Sequence, residues 1–252
     1  MRLKRPFLGL AATMLASAMI VVPLSAEDKG AFDDSQKDEI RAIIKDYLLK
    51  EPEVLREALM ELNRKQEEAT EQERKKALSS LYKEQTPYSY GEGNITVVEF
   101  FDYNCGYCRK AFDQVSDLAK QDKDMRVVFV EFPILSEGSR IASQAAIAST
   151  KQNKYWEFHQ ALMKHNGPVQ PDTVFKVAED VGLDMEKLKA DMKAPEVDQL
   201  IEKNLQLGTA MGVQGTPAFF IGDQSIPGAP SELKSMLEKE AANIRQNGCS
   251  VC

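Results

Sequence analysis

Residues 95–108 read Ile-Thr-Val-Val-Glu-Phe-Phe-Asp-Tyr-Asn-Cys-Gly-Tyr-Cys. Ile95–Phe101 is a near-continuous apolar and β-branched run, the pattern of a strand covered on both faces. Two cysteines three apart follow at once. A helix is then expected from about Tyr107 to Lys120, with Ala111, Phe112, Val115 and Leu118 turned inward. Arg126–Phe132 (RVVFVEF) is a second strand. Strand, helix, strand in that order predicts a parallel pair joined by a crossover helix, hence an α/β fold.

The spacing of Cys105 and Cys108 carries the chemistry. At the first turn of a helix, unpaired N–H groups and the helix dipole favour a thiolate. Such a cysteine titrates at roughly 3.5–7.5, against about 8.5 when free. Cys105 is therefore the expected nucleophile and leaving group. Cys108, one turn inside, is the buried partner that resolves a mixed disulfide. A plain structural disulfide and half of a zinc site completed by Cys249 and Cys252 are the competing readings. So small a ring constrains little of the unfolded chain, and the gap to Cys249 far exceeds the roughly 15–20 residues of a zinc ribbon. Glu99 lies six residues before Cys105. If buried, its carboxyl has a raised pKa and can relay the Cys108 proton; if at a strand edge, it faces water. Gly215-Thr216-Pro217 precedes a third strand, Thr216–Ile221, with Ser225-Ile226 pairing back as a hairpin. X-Pro bonds are the common cis peptides. A cis bond here would present the Thr216 backbone to an extended client segment, although sequence leaves the isomer open.

The rest of the chain sets the context. It has 252 residues, 43% hydrophobic and 28% charged, with a formal charge of −7. That balance suits a globular protein and disfavours a phosphate-neutralising nucleic-acid binder. Arg2, Lys4 and Arg5, the apolar run Phe7–Val22 and Ser25-Ala26 read as a secretory signal peptide cut near Ala26; an uncleaved anchor is the alternative. Export implies an oxidising compartment. Ile40, Ile43, Ile44, Tyr47 and Leu48 form a helical stripe, with Ser35 and Asp38 as a capping pattern. Pro52 starts a second helix whose stripe continues through Val54, Leu55, Ala58, Leu59 and Leu62. Residues 63–76, NRKQEEATEQERKK, are almost wholly polar. A helix from 53 to 84 would be roughly 48 Å long. Residues 32–62 thus read as an oligomerisation element, the alternative being an amphipathic cap on the body. Five helical stretches are expected between about Ser139 and Met211, and a last helix capped by Ser231. Beyond Gly248, Cys249-Ser250-Val251-Cys252 falls on a segment expected to be flexible. It reads as an incidental disulfide, a second redox pair or a soft-metal clamp for Cu(I). Of three possible pairings, the local 105–108 and 249–252 is the expected one. His159 and His165 are six apart, unsuited to a shared metal, and Trp156 reads as core. No cofactor is expected.

EFFDYNCGYC (99–108), FPIL (132–135), YWEFHQALM (155–163) and GTPAFFIG (215–222) together resemble the DsbA-like thiol:disulfide oxidoreductases of the bacterial periplasm. The resemblance covers about residues 86–246. It implies a thioredoxin fold with a helical domain inserted at about 136–211, and Thr216-Pro217 as a cis-proline loop. The Gly106-Tyr107 dipeptide and the threonine before the proline resemble DsbC-type isomerases, so Gly106, Tyr107, Thr216 and Pro217 are implied client contacts. A helical extension over 27–85 resembles the ScsC (suppressor of copper sensitivity) and Com1-like group, in some members of which such extensions make dimers or trimers. The CSVC sequence at 249–252, in the tail 247–252, departs from the pattern. The implied activity is isomerisation or reduction of non-native disulfides in unfolded or misoxidised exported proteins, with a membrane thiol reductase of the DsbD/ScsB type as partner and no nucleic acid. A DsbA-type dithiol oxidase and a copper-binding tolerance protein are the alternatives.

Overall fold

The computed structural model describes residues 32–252; the signal-peptide reading lies outside the described residues. Two units divide at Met60/Glu61. The first contains α1 (Asp34–Lys50) and the opening turns of α2 (Pro52–Lys83). The cap of α1 is not Ser35. Asp33 accepts from the Gln36 backbone N–H, and the Gln36 side chain accepts from that of Asp33, a reciprocal capping box two residues earlier than expected. Asp33 can take extended geometry just outside the helix, whereas Ser35 is already inside it. No residue of α1 is buried. Ile43, Ile44, Tyr47, Leu55, Leu59 and Met60 are each at least half exposed.

The second unit is built on a five-stranded sheet ordered β1-β3-β2-β4-β5: β1 (Ser89–Tyr90), β2 (Ile95–Phe101), β3 (Met125–Glu131), β4 (Ala218–Ile221) and β5 (Gln224–Pro227). β2 and β3 are parallel, joined through α3 (Gly106–Gln121) as the strand–helix–strand pattern predicts. β4 runs antiparallel to β2, and β5 to β4. The two-residue edge strand β1 was not legible, being too short for any periodicity. Five helices lie between β3 and β4: α4 (Glu137–Ser149), α5 (Tyr155–Met163), α6 (Pro171–Asp180), α7 (Met185–Asp191) and α8 (Pro195–Ala210). α9 (Leu233–Asn247) follows β5; its N-cap is Glu232, and Ser231 instead donates to the Glu232 carboxylate.

Side chains alternate across a strand, so each strand serves two cores. Val97, Phe101, Val127, Phe129, Phe219 and Ile221 face α3, α9 and the inserted helices. Val98, Phe100, Val128, Val130 and Phe220 face the other way, against Leu78 and Tyr82 of α2, Met211 and Val251. Burying each such phenylalanine contributes roughly 1.5–3 kcal/mol.

The last turn of α2 is fixed by polar contacts that apolar patterning does not reveal. Arg126, buried, donates to the carbonyls of Tyr82 (2.7 Å) and Glu84 (3.1 Å) and to the Thr96 hydroxyl (3.0 Å). A cation on the last carbonyls of a helix is favoured by the dipole. The Tyr82 hydroxyl donates to the Gly222 carbonyl at 2.9 Å. Arg126→Ala leaves those carbonyls unpaired. It is expected to lower stability by about 1–3 kcal/mol and to raise hydrogen exchange across Ser80–Glu84. An unchanged denaturation midpoint with unchanged exchange would refute the anchoring role.

Candidate active site

Cys105 ends the loop after β2 and is the N-cap of α3, with extended backbone and its Sγ accepting from the Cys108 N–H at 3.3 Å. The sulfur thus occupies the place where Ser or Asp commonly sits, completing an orphan donor of the first turn. Its thiol also lies 3.2 Å from the Thr216 carbonyl, as donor. The Thr216–Pro217 bond is cis. The thiol of Cys108, the Thr216 hydroxyl and the N–H groups of Cys108 and Tyr107 outweigh burial and pull Cys105 down to about 6. Cys108 is fully buried; burial first, then Cys105 and Glu99, push its thiol strongly up. One sulfur is therefore a thiolate at neutral pH and its neighbour a thiol. Both cysteines are free. A helix start that stabilises the Cys105 thiolate favours the reduced form.

Glu99 shares a strand face with Val97 and Phe101, which is the face α3 covers. It is wholly buried, and neither carboxyl oxygen has a hydrogen-bond partner. The strand-edge alternative is thereby removed. Burial, then the nearby Cys105, raise its pKa well above the usual carboxylate range, so it carries a proton. Gly106 and Tyr107 flank the thiolate on the outside. Tyr107 is 66% exposed, and a Cβ at 106 would meet nothing within 4 Å. Packing does not dictate that dipeptide. Beside it a groove of about 520 Å³ is lined by Gln214, Thr216, Pro217, Ser225 and Pro227 among others, and Ile134 and Leu135 are exposed apolar residues.

Several residues that shape this site escaped the sequence reading. Asp102, fully buried, accepts from the N–H groups of Asn104, Ile134 and Leu135 at 2.7–2.9 Å, and its carbonyl accepts from Cys105 N–H at 3.0 Å. Tyr103 donates to Glu131 and meets His159 Nδ1, both at 3.0 Å. Glu131 also accepts from Ser143 and Tyr155; burial, against these bonds, lifts it to about 8. Burial holds His159 neutral, down to about 3. It is a core histidine, in line with its unremarkable spacing. Arg109 grips the Tyr103 carbonyl through Nε and Nη2 and the Gly167 carbonyl through Nη1. The one available signal was the polar triplet Asp102-Tyr103-Asn104 wedged between an apolar strand and the cysteines.

The expected tail pair, Cys249–Cys252, is a disulfide. The segment is not loose, as its position had suggested: Val251 is buried in the second core and Ser250 donates to Asp223 at 2.9 Å. An apolar residue between the cysteines docks it.

Comparison with known proteins places this geometry. Residues 96–235 match the DsbA-like thioredoxin domain model, and residues 36–69 match the copper resistance protein ScsC N-terminal domain. A thioredoxin-like oxidoreductase from Silicibacter pomeroyi is 42% identical, covers 67% of this chain and 97% of its own, and superposes with a TM-score of 0.63. Proteus mirabilis ScsC in a transitional conformation is 28% identical over 84% of this chain and 100% of its own, TM-score 0.59. Disulfide bond formation protein D of Bacillus subtilis is 27% identical, over 58% of this chain and 72% of its own length. The chain also matches Na(+)/H(+) antiporters of Salinispora and Herminiimonas, spanning about a fifth of their length. With more than half its length matched by the family model, and with a cysteine pair at the start of the first helix of a thioredoxin fold, the chain belongs to the DsbA-like thioredoxin domain family of thiol:disulfide oxidoreductases.

Proposed function

We propose that this protein isomerises or reduces non-native disulfides in exported proteins, with Cys105 as nucleophile. The observation that carries the reading is a thiolate and a buried thiol side by side at one helix start. The Cys105 thiolate attacks a client disulfide. One client sulfur leaves as thiolate, and a Cys105–client mixed disulfide forms. In isomerisation another client thiolate displaces Cys105, which leaves as thiolate. In reduction Cys108 loses its proton, attacks Cys105 Sγ and expels the second client thiolate, leaving Cys105–Cys108 oxidised. A membrane dithiol reductase of the DsbD/ScsB type would then regenerate the pair. Glu99, buried beneath α3, is the group placed to take up and return the Cys108 proton. Thr216, Pro217, Gly106 and Tyr107 would contact the client.

The exposed apolar stripe of α1 and early α2 supports a homo-oligomer, dimer or trimer, through residues 32–62. The match of 36–69 to the ScsC N-terminal model supports the same reading. On this view the oligomerising extension lies within residues 27–85, the end of which is seated on the redox domain of 86–246, and the cysteine segment 247–252 docks on that domain through Val251, with the whole acting in the periplasm after removal of 1–26. Dithiol oxidation of clients is the second reading. It is favoured by the depressed Cys105 pKa, because a stabilised thiolate makes the corresponding disulfide a better oxidant.

Alkylation of Cys105 should follow a thiolate titration with its midpoint near pH 6. The folded pKa is depressed, so reactivity is full above that pH and falls away below it. A midpoint near 8.5 would refute the helix-start argument. Glu99→Gln should leave that first alkylation unchanged but slow closure of the mixed disulfide by Cys108 at least tenfold, within the range for general acid–base groups. Equal rates would remove Glu99 from the mechanism. The mature chain should restore activity to a client with scrambled disulfides, and a chain starting at Glu61, which keeps Leu78 and Tyr82 in the core, should lose most of that ability. If neither restores it while both rapidly oxidise a reduced client, the protein is an oxidase.

A further inference from the structure

Two CxxC pairs share one local geometry but sit at opposite ends of helices. Cys105 is the N-cap of α3, and its Sγ accepts from Cys108 N–H. Cys249 follows Gly248, the C-cap of α9, and its Sγ accepts from Cys252 N–H at 3.0 Å. The dipole of α3 favours a thiolate at Cys105, whereas the unpaired carbonyls ending α9 disfavour one at Cys249. Cys249 and Cys252 are joined by a disulfide, and Cys105 and Cys108 are free.

The pairs are also remote from one another. Cys105 lies at the Thr216 end of β4, and Ser250 is tied to Asp223, beyond the other end of that strand. Cys108 packs on the α3 side of the sheet, and Val251 on the opposite side. Cys105 and Cys108 of the same chain are therefore not placed to exchange directly with the tail pair, so a dithiol acting on it would come from another molecule. Cys252 is exposed and Cys249 half-buried, so an incoming thiolate can reach the bond.

What the bond holds is specific. It closes a short loop that turns Val251 into the core containing Leu78 and Tyr82 of α2, and sets Ser250 on Asp223. The adjacent Gly222 carbonyl is the acceptor for Tyr82. The tail and the last turn of α2 therefore grip the same β4–β5 turn.

We infer that Cys249–Cys252 is a second thiol–disulfide exchange site, a substrate for a protein dithiol, and that opening it releases Val251 from the seat of α2. The reductant thiolate attacks Cys252 Sγ, and Cys249 leaves as a thiolate. The second reductant thiol attacks the mixed disulfide and expels Cys252. Both tail cysteines end as thiols once protonated, and the reductant ends as a disulfide. The helix ends predict the order: the tail pair opens only at a more reducing potential than Cys105–Cys108.

The test uses the full mature chain and its Cys105→Ser/Cys108→Ser variant in graded dithiothreitol redox buffers. Alkylation of each pair is read by mass, and hydrogen exchange is read over Leu78–Lys83. In the parent chain the tail pair should open after the 105/108 pair. In the variant its opening should raise exchange over Leu78–Lys83 several-fold with the fold intact. Val251→Ser should raise the same exchange with the disulfide still closed. A tail pair that opens first or only on global unfolding would overturn the inference, as would opening with exchange unchanged. Because the variant lacks the 105/108 pair, this result is independent of the client chemistry proposed above.

Discussion

Three consecutive side chains hold the nucleophile's loop, and each takes hold of a different segment. The Asp102 carboxylate, out of contact with water, is satisfied by three backbone N–H groups, two of them from Ile134 and Leu135. Tyr103 reaches into the buried cluster of Glu131, Tyr155 and His159. Asn104 pairs both ways with the Val169 backbone and donates to Ser136 and Ser139 at the start of α4. Buried polar groups are costly unless paired, so a loop whose three polar side chains are all paired in one arrangement has few alternatives. The inserted helices are in this sense part of the site. They supply the partners that fix Cys105 at the head of α3.

Strand parity then sorts the charges. Glu99 and Glu131 lie on the side of the sheet that α3 covers, and Arg126 on the side that receives α2. The two carboxyls differ because their surroundings differ. Glu131 has three hydroxyl donors and is lifted only to about 8. Glu99 has none and is held protonated by burial, with the Cys105 thiolate adding to the effect. A structural carboxylate is given its partners. One left without them beside a thiol that must titrate is free to serve as the proton carrier of the proposed mechanism.

Periodicity and motif spacing made much of this readable. The strand of 95–101, the crossover helix, the inward residues of α3 and the burial of Glu99 follow from apolar runs and the two-residue repeat of a strand. The thiolate at Cys105 follows from its place at a helix start. What stayed hidden were contacts between distant polar residues. Nothing local to Arg126 says that it caps a helix ending more than forty positions earlier, and nothing local to Asp102 points to Ile134. The same limit explains the tail. A glycine, two cysteines and a serine look like a loose end until Val251 is seen to fit a core whose walls come from α2, β2, β3 and β4.

The long helix α2 shows how unequal its contacts are. Over Glu61–Lys75 its side chains pair with one another, Arg64 with Glu61 and Glu68, and Arg74 and Lys75 with Glu71. Most of these pairs are exposed, and each such pair contributes about 0–1 kcal/mol. The last turns instead bury Leu78 and Tyr82 and end on Arg126. Opening free energy should therefore rise steeply toward Lys83, since protection follows buried apolar contact and shielded hydrogen bonds. The polar stretch keeps its helix by local propensity and weak pairing, while the seat keeps its helix by core burial. Anything that acts on the seat, the tail included, acts where α2 has the most free energy to lose.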